Sequence, residues 1–203
     1  MQRCLVNVSG LPATGKDTTF NALKSMRGFV PYSIDDVYKQ FGMTQSHTLE
    51  QSQRAYAEFL QTLEEFMNEQ KNILCQKNLN ARKTRRTFYG IADNHDYDVC
   101  VVRCVCSDEE AIRRIKSRTG SIADTKVLDP EVYFYIKKNY ECIRSDTEVQ
   151  NGHIGLMELD TQNNFIETVT EGNNPRLTES VFEHLIKELN NRENIIAPVK
   201  TFI

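Results

Sequence analysis

The chain has 203 residues, of which 39% are hydrophobic and 26% charged, with a formal net charge of −3 at pH 7. These values exclude a disordered chain and a protein that holds nucleic acid through its overall charge, so any such binding must use local basic patches. No run approaches the roughly 18 apolar residues of a membrane span and the first residues show no apolar signal segment, so we expect one cytoplasmic domain without membrane contact.

Cys4-Leu5-Val6-Asn7-Val8 reads as a strand, and Ser9 to Thr19 follows it almost without a gap. Gly10, Gly15 and Lys16 meet the pattern G-x-x-x-x-G-K, in which glycines let consecutive N–H groups form an anion nest and the lysine adds a point charge. A helix compatible with Thr18 to Met26 aims its positive end at the same place. The expected phosphate contacts are Gly10, Leu11, Pro12, Ala13, Thr14, Gly15, Lys16, Asp17 and Thr18. The position after the lysine, which usually supplies a hydroxyl to Mg²⁺, is Asp17; either its carboxylate or the Thr18 hydroxyl can serve as the metal ligand.

Gly28 to Ile34 reads as a second strand ending at Asp35-Asp36, and strand ends are where function gathers in open α/β sheets. From His47 to about Gln70, Tyr56, Phe59, Leu60, Leu63, Phe66 and Met67 recur at helical spacing, which predicts an amphipathic helix with its aromatics in the core. Ile73 to Gln76 is a third strand, and Asn78-Leu79-Asn80 leads into a helix over 81–89 with Asn80 as its N-cap. Tyr97 to Cys106 is nearly continuous and apolar, as suits a strand buried on both faces of a parallel sheet.

Five cysteines, Cys4, Cys75, Cys100, Cys104 and Cys106, lie in strand-like runs where a thiol behaves as a small hydrophobe, so disulfides are not expected. Cys100, Cys104 and Cys106 share a parity, but a fixed strand converges three thiolates poorly and zinc is not expected.

Ser107 or Asp108 caps the next helix, which carries Arg113, Arg114 and Arg118, and Pro130 starts another helix through about Cys142. His153 to Leu159 and Phe165 to Val169 form a hairpin, or only one of them joins the sheet. Leu177 to Leu189 is a terminal helix. Strands alternating with helices predict βαβ units and a parallel sheet.

With these motifs in order, residues from about 3 to 145 resemble the P-loop kinase domain of polynucleotide 5′-hydroxyl kinases, most strongly that of the bacteriophage enzyme. Ile34-Asp35-Asp36 stands where that family has Arg-Asp-Asp at a strand end, Asn78-Leu79-Asn80 at its Asn-Leu-Asn-type turn, and Arg114 with Arg118 at its two lid arginines. The resemblance implies one P-loop NTPase-type α/β domain over 1–203 with an Arg-bearing helical lid at about 108–145, using ATP and Mg²⁺.

It further implies that Asp35 is the general base for a substrate hydroxyl and that Lys16, Arg114 and Arg118 neutralise the transferred phosphoryl group. Arginines four apart share a helix face, so both can reach one phosphate chain. Acidic caps and solvated basic faces are the plainer readings of the same residues.

Three departures weaken the acceptor assignment: Ile34 replaces an arginine, Lys39 is the nearby cation where the family has a second arginine, and Gln76-Lys77-Asn78 replaces an Asp-Thr-Asn turn. Asp36, Lys39, Arg82 and Arg85 are the expected acceptor contacts, with Lys77, Lys83 and Arg86 as further cations that can track nucleic-acid phosphates. The Gly-Lys-Asp-Thr spelling also resembles some nucleoside-monophosphate kinases, and a kinase of a hydroxymethylated base in DNA would use the same hydroxyl chemistry. A nucleotide-binding regulator is the non-enzyme alternative. The sequence leaves the oligomeric state open.

Overall fold

The computed structural model describes residues 3–43, 48–118, 129–141, 143, 154–170 and 183–190. Six strands form one sheet: β1 (Cys4–Gly10), β2 (Phe29–Ser33), β3 (Asn72–Gln76), β4 (Asp98–Val105), β5 (Ile154–Asp160) and β6 (Phe165–Thr170). Their order is β2-β3-β1-β4-β5-β6. The first five run parallel and β6 returns antiparallel to β5, so both segments of the late region join the sheet as a hairpin. This is the expected parallel α/β architecture.

The strands owe their burial to alternation that is apolar on both faces. Leu5, Val99, Val101, Ile73 and Leu156 point to one side, and Cys4, Val6, Val8, Cys100, Val102 and Leu159 to the other. Each face is covered by helices. On the first lies α3 (Leu49–Asn68), whose Ala55, Phe59, Leu63 and Met67 make a buried stripe at three- and four-residue spacing. A capping box between Thr48 and Gln51 starts it. Its aromatics are core: Tyr32 of β2 stacks on Phe59 with centroids 5.1 Å apart. On the second face, α1 (Lys16–Leu23) contributes Phe20 and Leu23, and the helical segment 183–190 contributes Leu185 and Leu189. Burying a side chain of this size contributes roughly 1.5–3 kcal/mol before entropic costs, and Phe59, Leu63 and Met67 supply three such contributions on α3.

Several expectations change. Asp35-Asp36 belongs to an unforeseen helix, α2 (Ile34–Gln40), which starts directly where β2 stops because Ser33 is both the last strand residue and the N-cap. Helix α4 runs Arg82–Asn94, longer than expected, and its N-cap is Ala81, which offers no side chain. Asn80 instead uses its carbonyl to accept the Glu141 N–H at 2.9 Å, and the Glu141 carboxylate accepts the Arg82 N–H. The cap thus comes from a distant residue. Ser107 caps α5 (Asp108–Ser117) as expected. Helix α6 (Pro130–Lys138) ends earlier than expected, where the Asn139 amide turns back on the Tyr135 carbonyl at 2.7 Å. The expected helix over 177–189 lies partly outside the described residues. The five cysteines are free thiols, with Cys4 and Cys100 Sγ atoms 3.9 Å apart. No described helix is long and apolar enough to cross a membrane. Pro31 lies exposed in the middle of β2, which forms one edge of the sheet.

Candidate active site

The sheet order sets β1 between β3 and β4, so the loop leaving β1 opens beside the carboxyl ends of β3 and, one strand further, β2. That loop has three residues at positive φ: Gly10 (145°), Ala13 (62°) and Gly15 (89°). A Cβ on Gly10 would sit 2.5 Å from the Cys104 carbonyl oxygen and 2.6 Å from Thr14 Oγ1, so only glycine fits. The loop closes on the Leu11 carbonyl, which accepts Thr14 Oγ1–H at 2.8 Å and the Lys16 ammonium at 2.7 Å. Gly15 caps α1 and, having no side chain, places no acceptor of its own on the amides of that first turn. Burial lowers the Lys16 pKa, opposed chiefly by the Asp17 carboxylate.

Two clefts flank α1. The first, about 180 Å³, is lined by Lys16, Asp17, Asp35, Tyr38, Gln76, Lys77 and Arg118, among others. Asp35 enters it from the first turn of α2, oriented by its own N–H on Ser33 Oγ at 3.2 Å. Burial raises the Asp35 pKa and the Asp17 charge raises it further, against Lys16 and Lys39. Lys77 is fixed through its backbone: its N–H donates to Asn7 Oδ1 at 3.1 Å and its carbonyl accepts Asn7 Nδ2–H at 3.3 Å. Its ammonium lies 5.2 Å from the Tyr56 ring centroid, and burial lowers its pKa with Asp35 opposing. Gln76, the last residue of β3, donates Nε2–H to Asp17 Oδ1 at 2.6 Å.

The second cleft, about 260 Å³, lies on the other side of the α1 start and is lined by Gly15, Thr18, Arg114, Arg118, Thr161 and Asn164, among others. Asp17 and Thr18, both expected near the metal, therefore face different clefts. Arg118, at the end of α5, borders both.

Arg114 is held by several groups of the protein itself. Its guanidinium donates to Thr161 Oγ1 (2.9 Å), the Thr161 carbonyl (2.9 Å), the Ala13 carbonyl (3.3 Å) and Glu110 Oε1 (2.6 Å). It ties α5 and the β5–β6 turn to the phosphate loop while lining the second cleft with Arg118. Hydrogen bonds from Arg113 and then Arg114 push the Glu110 pKa down to about 2.

The expected acceptor contacts are not brought together. Asp36 and Lys39 pair with each other at 3.6 Å on the exposed side of α2, outside the first cleft. Arg82 lies half-buried at the start of α4. Arg85, expected as an acceptor contact, is fully buried and donates instead to the carbonyls of Leu79 (3.0 Å), Asn80 (3.3 Å) and Glu141 (2.9 Å). Lys83 and Arg86 are exposed. Tyr38, Gln76 and Thr161 were not singled out from the sequence as site residues. Gln76 alone had a readable signal, its place at a strand end beside the loop.

A family model described as an AAA domain matches residues 5–135. No curated protein matches the chain. Among solved structures, a putative kinase from Chloroflexus aurantiacus is 15% identical, with 91% of this chain and 99% of that one covered and a TM-score of 0.63. Chaetomium thermophilum Kti12 in complex with ADP-AlF3 is 18% identical, with coverage of 91% and 98% and a TM-score of 0.58. A chain of the Pnkp1/Rnl/Hen1 RNA repair complex is 13% identical with a TM-score of 0.57, over 68% of this chain and 46% of that one. At such identities the likeness establishes the fold.

Proposed function

The chain belongs to the AAA domain family, whose model spans residues 5–135, and from that premise we propose that it is an ATP-dependent kinase acting on a hydroxyl acceptor. The observation that carries this reading is the meeting of Lys16, Asp35 and Arg118 around one cleft at the mouth of the phosphate loop. Phosphoryl transfer needs an in-line oxygen, an acceptor for its proton and charge neutralisation. Asp35 takes the hydroxyl proton as the oxygen forms its bond to the γ-phosphorus and the bond to the β-bridging oxygen breaks, releasing ADP. Burial, by raising its pKa, makes Asp35 a stronger proton acceptor than an ordinary carboxylate. Lys16 and Arg118 hold the phosphate oxygens.

The residues present fit Mg²⁺. Among the described residues no group of three His, Cys, Asp or Glu side chains converges, and Mg²⁺ does not need one: it keeps several waters and takes one or two carboxylates together with substrate phosphates. Asp17 is the carboxylate we assign to it, because Thr18 faces the second cleft. When bound, Mg²⁺ neutralises charge on the β- and γ-phosphate oxygens.

For the acceptor we favour a nucleic-acid 5′-hydroxyl. The Asp35 and Asn78-Leu79-Asn80 motifs support it, as does a cation, Lys77, beside the base where an acceptor phosphate would pass. The alternatives are a deoxynucleoside monophosphate and a hydroxymethylated base in DNA. The deciding experiment follows labelled γ-phosphate from ATP to 5′-hydroxyl DNA and RNA, free deoxynucleotides and hydroxymethyl-base DNA. Label on the 5′-hydroxyl oligonucleotides is expected. Label confined to free nucleotides would make Asp35 a positioning residue, and no label on any acceptor would overturn the kinase assignment.

A further inference from the structure

Phosphate-loop enzymes commonly anchor Mg²⁺ with a hydroxyl after the loop lysine and a carboxylate at the end of a neighbouring strand. Here the residue after Lys16 is the acid Asp17, and the end of β3, the strand beside β1, carries the neutral Gln76. The two side chains touch, with Gln76 Nε2 2.6 Å from Asp17 Oδ1. We propose that the two chemistries have exchanged places, so that Asp17 is the metal-anchoring carboxylate and Gln76 is the positioning residue that aims it. This rests on the reading above that the site takes a magnesium nucleotide.

The chemistry of the contact fixes its direction. An ionised carboxylate only accepts hydrogen bonds, so the amide must present Nε2–H to Asp17 and turn Oε1 the other way. There Oε1 accepts Ser33 Oγ–H at 3.4 Å, while Ser33 Oγ accepts the Asp35 N–H at 3.2 Å. Gln76 is 7% exposed and Ser33 3%, so packing holds the chain Asp17–Gln76–Ser33–Asp35 in place. One buried amide thereby sets the spacing between the metal anchor on α1 and the proposed base on α2. A strand-end carboxylate could not do this, because it would repel Asp17 and has no hydrogen to give it.

The exchange predicts a rescue. We would measure Mn²⁺ binding in the presence of ADP by electron paramagnetic resonance, ADP binding without metal by calorimetry, and folding by thermal unfolding. Asp17→Ser and the near-isosteric Asp17→Asn should weaken Mn²⁺ binding sharply. Gln76→Ala should weaken it by about 10- to 100-fold, the range for a residue that orients a ligand, while metal-free ADP binding is unchanged. The double variant Asp17→Ser with Gln76→Asp, which restores the common arrangement, should recover affinity relative to Asp17→Ser alone. Unchanged Mn²⁺ affinity in both Asp17 variants would overturn the proposal, as would a double variant no better than Asp17→Ser, or a starting protein that binds no Mn²⁺ with ADP. Tight Mn²⁺–ADP binding without labelling of any acceptor would instead overturn the kinase assignment and leave this one intact.

Discussion

Asp35 is pulled in two directions: burial and the Asp17 charge favour its neutral form, while Lys16 and Lys39 favour the carboxylate. Its raised folded-state pKa has two consequences of opposite sense. As a base it works only when ionised, so the rate of transfer should rise with pH on a limb set above the ordinary carboxylate range, and Asp35→Asn should remove that limb. The same substitution should lower the rate by about 10²–10⁴ and leave ATP binding nearly intact; unchanged transfer would refute the role. For stability, the folded state holds this proton more tightly than the unfolded one. The contribution is therefore fully present below the unfolded pKa and is lost as pH rises through the folded value, so Asp35→Asn should flatten that part of a stability-against-pH curve. Lys16→Ala should act earlier, on nucleotide binding, and calorimetry should show the loss even without an acceptor. Gly10, Gly15, Lys16 and Asp35 were legible in the sequence because a short local pattern specifies each. The protein contacts of Arg114 and Arg85 were not, because their partners Thr161 and Glu141 lie 47 and 56 residues away.

Helix α5 was expected as a lid bearing two arginines, and these two stand differently toward the clefts. Arg114 ties the helix to Ala13 and Thr161 and borders the second cleft, while Arg118 borders both. Arg114→Ala should therefore cost stability, about 1–3 kcal/mol in denaturant unfolding, and Arg118→Ala should chiefly cost transfer. Arg85→Ala should cost about 3 kcal/mol or more, since three carbonyls lose a buried donor. Between the loop glycines, Gly10→Ala should be the more damaging. Its new methyl meets the Cys104 backbone carbonyl, whereas at Gly15 its nearest neighbours are side-chain atoms of Thr161, at 2.9 to 3.0 Å. Helix α2 escaped the sequence because Ser33 serves both β2 and α2, leaving no linker to mark the change of period.

For the molecule as a whole, alternating strands and helices made a parallel sheet legible, while strand order was not. The order depends on which faces match in three dimensions, and it is the order that sets Asp35 and Gln76 beside Lys16 despite the sequence between them. The late hairpin stayed ambiguous because β6 pairs antiparallel with β5 alone, at an edge, where its pattern owes little to the rest of the sheet. The opposite edge carries a different lesson. Pro31 sits mid-strand in β2 and has no N–H to offer an approaching chain. An edge strand lacking a donor at its middle is a poorer template for strand addition, and this sets an expectation for refolding. Pro31→Thr should keep the monomer's unfolding midpoint close to its starting value, yet raise light scattering on refolding, making this one residue a determinant of yield and not of chemistry.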